Sequence, residues 1–318
     1  MTYDKATTLF FNWQSALHVF TETLGGLDRI WLPDIGSDQL EGVVSRRLSV
    51  EYYPASLGTT DLLRTMSMDF HRRDLVVLTE FSGFPMDYRI YESAKAAGAK
   101  VICDAREAFL SDNERTGCDA ILLSPDLFLP MPTIGILKSA KIMNPGKVLG
   151  VAPPRLQIAS LDLFKKSWIQ TEGALDRLVV EAVGPEVSSR FGPWQATEIS
   201  VAAMEMVRSV DEIKSLHRSN FLEMHRHLKE FGVFSALPAA VVPYAYPITT
   251  CDLAAAKDFL GRHRIKSVHV ESKSSKDAGR PESCPREKEL IQICCRQRLE
   301  KETLTSFRSF LSGDGRTA

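Results

Sequence analysis

The sequence predicts an α/β fold in which a mostly parallel sheet is flanked by helices and followed by a smaller C-terminal α/β domain. Three observations lead there. Apolar runs too short for helices, Leu75-Val76-Val77-Leu78 and Val101-Ile102-Cys103, bracket a stretch from Asp87 to Gly98 with helical spacing (Ile90, Ala94, Ala97). The same β-α-β order stands earlier, around Arg29–Pro33, Ser37–Arg47 and Leu48–Tyr53. The third is the end of the second run on Asp104: open α/β sheets place their ligands at the carboxyl ends of parallel strands. Taken alone, Asp104 equally suits a cap on the turn that follows. At 318 residues the chain can bury one large and one small core, with boundaries expected at 1–195 and 196–318.

The elements follow in order. Residues 6–24 read as a helix, with Leu9, Trp13, Leu17, Phe20 and Leu24 near one face and Gly25-Gly26 ending it. After the first β-α-β unit, Ser82-Gly83-Phe84-Pro85 breaks the strand at 75–78, and Gly98 stops the helix. Asp119–Leu123 is a strand running directly into Ser124. Residues 155–196 are expected to be helical in parts. From Thr197 to Phe231 one amphipathic stretch dominates, ending at Gly232. A strand at Val241–Ile248, a helix at Leu253–Arg264 and a strand at Ile265–Val270 build the small domain. The polar stretch Glu271–Lys288 reads as a surface loop, and Glu289–Leu311 as a closing helical segment.

Composition narrows the function classes. A formal net charge of −1, with 25% charged residues and no basic run with interleaved aromatics, argues against nucleic acid or an anionic membrane as partner. No apolar stretch is long enough to span a membrane, and the first residues lack the layout of a signal peptide. The six cysteines form no CxxC pair, which fits free thiols and a cytoplasmic location.

Two motifs carry chemistry. Phe81-Ser82-Gly83-Phe84-Pro85 leads through a helix to Asp104-Ala105-Arg106-Glu107. Further on stands Ser124-Pro125-Asp126-Leu127-Phe128-Leu129-Pro130-Met131-Pro132, with Gly135 after it. Both resemble the large domain of the DegT/DnrJ/EryC1/StrS family, fold-type-I pyridoxal-phosphate enzymes best known as nucleotide-sugar aminotransferases. Resemblance extends from about Asn12 to Val270 and includes Arg218-Ser219-Asn220-Phe221 and Val241–Ile248. It implies pyridoxal phosphate as cofactor and a homodimer with a small-molecule sugar or amino-acid ligand. Asp104 falls where the family pairs an acid with the pyridine nitrogen, and Glu107 where a His or Gln stacks on the ring. Ser124 and Ser15 fall where hydroxyls receive the phosphate, and His269 where relatives contact substrate.

Two departures stand out. Leu127 occupies the place of the Schiff-base lysine, and a leucine can neither form an imine nor move a proton. Trp13 replaces the glycine expected where the phosphate approaches. The nearest following lysines, Lys138 and Lys141, lie a strand's length away. Three functions are therefore expected in turn: a degenerate homologue that binds a ligand or partner without transaminating; a working aminotransferase on a nucleotide-linked sugar or related keto substrate; or an enzyme holding the cofactor non-covalently. No catalytic residue and no metal site are assigned. His225 and His227 are two apart and point to different faces, and Cys294-Cys295 reads as a pair of small buried residues.

Overall fold

The computed structural model describes residues 6–44, 48–55, 68–129, 131–139, 150–153, 155, 157, 194–206, 210–271 and 289–312. Its large sheet has seven strands: β1 (Ala6–Phe10), β2 (Arg29–Pro33), β3 (Ser49–Tyr53), β4 (Asp74–Thr79), β5 (Lys100–Asp104), β6 (Ala120–Leu123) and β7 (Gly135–Ser139). They lie in the order β1-β7-β6-β5-β4-β2-β3. Strands β3, β2, β4, β5 and β6 are mutually parallel, and only β7 runs against its neighbours β6 and β1.

The predicted helix at 6–24 is shorter than the periodicity suggested. Residues 6–10 form β1, paired with β7 from Ala6 opposite Ser139 to Phe10 opposite Gly135. Thr7-Thr8-Leu9-Phe10 is rich in β-formers, and a free sheet edge outweighs helical spacing carried by Leu9 alone. Helix α1 (Trp13–Leu24) begins at Asn12, whose side chain accepts a hydrogen bond from Ser15 N at 2.8 Å. A cap of this kind contributes about 1 kcal/mol. Helices α1 and α2 (Asp38–Val44) cover one face of the sheet, where Trp13, Leu17, Phe20, Leu40 and Val43 meet Ile30, Leu32, Leu75, Val77 and Ile102. Helix α3 (Tyr88–Ala96) covers the other with Ile90 and Ala94, over Val76, Leu78, Val101, Cys103 and Ile136. Strands buried on both faces explain why 75–78 and 101–103 read as continuous apolar runs.

Beyond it come α4 (Glu198–Met206) and α5 (Val210–Leu228), where the sequence suggested one amphipathic stretch. A second sheet, ordered β8-β10-β9, is formed by β8 (Ala245–Thr250), β9 (Ser267–Val270) and β10 (Glu289–Cys294). Helices α6 (Leu253–Arg262) and α7 (Lys301–Ser312) pack on it with α5. The predicted closing helical segment is thus corrected: 289–294 is the central strand of this sheet, hydrogen-bonded on both edges, and helix begins only at Lys301. Leu290, Ile291 and Ile293 are β-formers buried on both faces of a thin sheet, a pattern easily mistaken for a helical face. The helices expected in 155–196 and the loop expected at 271–288 fall largely outside the described residues.

The two sheets are tied together at the turn after β4. Ser82 has φ 54 and Gly83 φ 95, both left-handed. Tyr244 N donates to Ser82 O (3.0 Å) and Asp112 N to Ala240 O (2.9 Å). Ser111 Oγ lies 3.1 Å from both Gly83 O and Val242 O and accepts from Val242 N at 2.9 Å. On α5, Arg218 donates to the carbonyls of Pro238, Ala239 and Val241, and Asn220 Nδ2 to those of Cys295 and Gln297. These two residues of the family-like segment hold loops in place.

Candidate functional site

Asp104 ends β5 and is almost fully buried, beside the N-terminus of α1 on the same sheet face. Its carboxylate is fully engaged. Arg106, two residues on, folds back so that Nε meets Oδ1 at 2.7 Å and Nη2 meets Oδ2 at 2.8 Å. Thr79 Oγ1 approaches Oδ2 at 3.5 Å from β4. The Arg106 guanidinium lies 3.8 Å from the centre of the Trp13 ring. A planar cation thus sits bidentate on the acid and stacked under an indole, a geometry that suits arginine and not lysine. Burial works against the Arg106 charge, but the ion pair with Asp104 outweighs it and raises its pKa.

Glu107 points elsewhere. Its Oε2 accepts from Ser82 N at 2.6 Å and from Gln292 Nε2 at 2.8 Å, and Gln292 also reaches Ser82 Oγ at 2.9 Å. Gln292 is on β10, so Glu107 joins the two sheets through the Ser82 turn. Burial raises its pKa. Ser124 Oγ donates to Asp126 Oδ1 at 2.7 Å. Ser15 Oγ is buried and has no hydrogen-bond partner among the described residues. Leu127 lies in the turn Pro125–Leu127 and packs into an apolar cluster with Phe128, Leu129 and Val242.

The sequence reading missed Asp126 and His217. Asp126 sits between Ser124 and Leu127, and burial lifts its carboxyl to about 6 from the ordinary 3.8, with the Ser124 hydrogen bond and the Arg106 charge pulling the other way. His217 is fully buried against Phe128, with Nδ1 2.9 Å from Pro243 O and Nε2 unpartnered among the described residues. A carbonyl only accepts, so Nδ1 carries the proton. Desolvation holds this imidazole at about 4 and therefore neutral. A lone histidine on an amphipathic helix gave no sign of either fact.

The raised Asp126 pKa has a sign that can be checked. Between pH 3.8 and about 6 the folded chain holds a proton that the unfolded chain releases, so stability falls across that window as pH rises. Above it the ionised carboxylate costs at most ~3 kcal/mol, at ~1.4 kcal/mol per pKa unit. Asp126→Asn keeps the oxygen that accepts from Ser124. We expect it to raise Tm by several degrees at pH 7.5 and to leave it unchanged at pH 4. A variant melting at or below the wild type at pH 7.5 would refute this account of Asp126.

The histidines and lysines set aside earlier also find places. His225 Nδ1 lies 3.2 Å from Tyr246 Oη, and His227 Nε2 3.4 Å from Glu223, so the two have different partners. His269 on β9 stands 3.9 Å from Glu289. No group of histidines, cysteines and acids suited to a metal occurs among the described residues. Side chains alternate along β7, and Ile136 belongs to the α3-face cluster, so Lys138 faces that side too. Arg115, which lies near enough to lower the Lys138 pKa after burial has done so, binds Glu80 there. Asp104 shares its face with Ile102, on the α1 side. The sheet therefore separates Lys138 from Asp104. Lys141 is outside the described residues.

The seven-stranded mixed sheet with flanking helices and a smaller sheet following it is the fold of the type-I pyridoxal-phosphate transferases. Among solved structures, DesV from S. venezuelae, solved with a ketimine intermediate, superposes with TM-score 0.61 at 12% identity, over 98% of this chain and 85% of that one. The aminotransferase TlmJ from Streptoalloteichus hindustanus gives 0.60 at 15%, over 98% and 87%. A DegT DnrJ EryC1 StrS aminotransferase from Brucella abortus gives 0.58 at 13%, over 97% and 85%. Neither a protein-family model nor a curated protein matches the sequence. Identities this low establish the scaffold and leave the chemistry to the residues.

Those residues do not fit pyridoxal phosphate as they stand. On the resemblance, the pyridine nitrogen would pair with an Asp104 oxygen, and both oxygens are held by a cation pinned under Trp13. The Ser124 hydroxyl is committed to a carboxylate that would repel a phosphate. At the start of α1, the Asn12 side chain takes Ser15 N, one of the amides a phosphate would use, while the Ser15 hydroxyl stays unspent among the described residues.

Proposed function

We propose that this chain is a non-transaminating homologue of the sugar-aminotransferase scaffold, acting by binding a ligand or partner. The observation that carries the reading is the Arg106 guanidinium, bidentate on Asp104 and stacked on Trp13, in the place the resemblance reserves for the cofactor ring. Leu127 in an apolar cluster and Lys138 on the opposite sheet face support it, because neither offers an amine beside Asp104. With leucine at 127 and both Asp104 oxygens taken, Schiff-base chemistry has nothing to work with among the described residues of this site.

The test is a titration with pyridoxal phosphate followed by absorbance, borohydride reduction and intact-mass analysis. The expected result is no protein-dependent band near the aldimine region and no reduced adduct at stoichiometric cofactor. A single lysine carrying the reduced cofactor would overturn the proposal and favour the contrary reading, an active aminotransferase. A bound but unreducible cofactor would equally overturn the proposal.

A further inference from the structure

One face of the small sheet is turned toward the segments that follow β4 and β5. Gln292 on β10 shows which, because it reaches Ser82 and Glu107. Val268 stands opposite Gln292 in the β9–β10 ladder, and the bond from Cys294 N to Lys266 O at 2.9 Å carries that ladder a step further. Opposed residues of an antiparallel pair share a face, as do residues two apart along a strand. Cys294, Lys266 and Val268 therefore lie on the face of Gln292, while Ile291 and Ile293 join the core on the other. Pairing continues to Cys295, whose N donates to Tyr244 O at 3.0 Å, so the alternation sends Arg296 to the Gln292 face as well. The electrostatics agree: burial raises the Cys294 pKa, and Arg296 and Lys266 are both near enough to act against it.

These two cations differ from the other sheltered ones in what holds them. Arg29, Arg106 and Arg115 each grip a carboxylate. Arg296 is partly buried and Lys266 exposed, and neither side chain has a hydrogen-bond or ion-pair partner among the described residues. A sheltered charge is normally paired. The carboxylates that reach this neighbourhood are spent elsewhere, Glu107 on Ser82 N and Gln292 and Asp126 on Ser124. Tyr244 lies within reach of Arg296, and burial raises its pKa, so its hydroxyl keeps a proton to donate. Val268, 47% exposed, adds an apolar step beside Lys266 on the same face. An arginine fork and a lysine on one face suit an oxyanion shared between them, and the apolar neighbour suits a carbon skeleton attached to it. We infer that this face binds a small organic dianion, a phosphate monoester or a dicarboxylate, with its charged end between Lys266 and Arg296 and its carbon part toward Val268. The inference rests on the ligand-binding reading above and names the charge of the ligand.

Three probes with one ring test this: phenyl phosphate, phenylmalonate and phenol, measured by saturation-transfer NMR on the full chain at low salt. At least one dianion is expected to bind at millimolar concentration or below and at least about ten-fold tighter than phenol, and the tighter of the two names the class. Arg296→Gln is expected to weaken that dianion about ten-fold, and Lys266→Gln, at an exposed position, about three-fold. Lys257→Gln is the control: it removes an exposed cation from α6, which packs on the opposite face of the sheet, and is expected to change nothing. The proposal is overturned by neither dianion binding, by phenol binding as well as they do, or by Lys257→Gln weakening them as much as Arg296→Gln. A folded Arg296→Gln chain that binds like wild type overturns it too. Should that variant fail to fold, Lys266→Gln still decides, because a dianion affinity unmoved by it refutes the assignment. Such a failure leaves the non-transaminating reading intact, since that reading depends on Asp104, Arg106 and Leu127 and is measured as the absence of an adduct at stoichiometric pyridoxal phosphate.

Discussion

Arg106→Ala is expected to be among the most damaging single substitutions in the large sheet, at roughly 3–5 kcal/mol. The cost comes from what it leaves behind. Asp104 is 1% exposed, and without the guanidinium its carboxylate keeps, among the described residues, the long contact from Thr79 and the Arg106 backbone amide, 3.3 Å from Oδ1. A buried charge stripped of its partner loses far more than the pair contributes over an apolar substitute. Two controls separate this from a simple packing loss. Arg106→Lys keeps the charge but loses the fork and the stacking on Trp13, so it should fall between wild type and alanine. The double change Asp104→Asn with Arg106→Met removes both charges and should recover most of the loss. Denaturant melts of the four chains check the order, and an alanine variant as stable as wild type would show that the pair holds nothing in place. Low millimolar guanidinium should also raise the Tm of the alanine variant and not that of wild type.

The second large effect lies at the joint between the sheets. Gly83 has φ +95, and a Cβ there would stand 2.6 Å from Val242 O and 3.1 Å from Pro243 Cα. Gly83→Ala thus meets two penalties, ~1–2 kcal/mol for the left-handed backbone and ~1–3 kcal/mol for overlap with main chain that cannot rotate away. Gly98 provides the control: it also has positive φ, at +77, but its nearest neighbour would be Arg72 Cβ at 3.5 Å. Gly98→Ala should therefore pay only the first penalty. Equal losses in the two variants, measured by urea unfolding, would show that contact between the sheets at Val242 is softer than the distances imply.

Most of the scaffold is legible in the sequence because burial on both faces leaves so plain a mark. The runs 75–78, 101–103 and 120–123 admit no helix and little else, and glycine or proline punctuates them. What misled was short strands at an edge or in a thin sheet. Residues 6–10 and 289–294 carry apolar residues at spacings that a helix and a strand can share, and only long-range pairing with β7, β8 and β9 decides between them. Four candidates for the site were open to reading from the motifs: Asp104, Ser124, Leu127 and Trp13. Their relations were not. Nothing in the order Asp-Ala-Arg-Glu says that Arg106 turns back onto Asp104 while Glu107 turns away to Gln292, 185 positions on. Such choices of direction are made in the folded state, by which carboxylate finds which donor once water is excluded. Asp126 escaped notice for the same reason, since a motif position records a residue type and not its desolvation.

The stacked guanidinium has a consequence for anyone wishing to set pyridoxal chemistry on this scaffold. On the reading proposed above, an amine at position 127 repairs only one end of the problem, because the acid that would pair with the ring remains neutralised by its own neighbour two residues away. The repair is a matter of vacating a seat as well as adding a hook, and a search through single replacements passes it by.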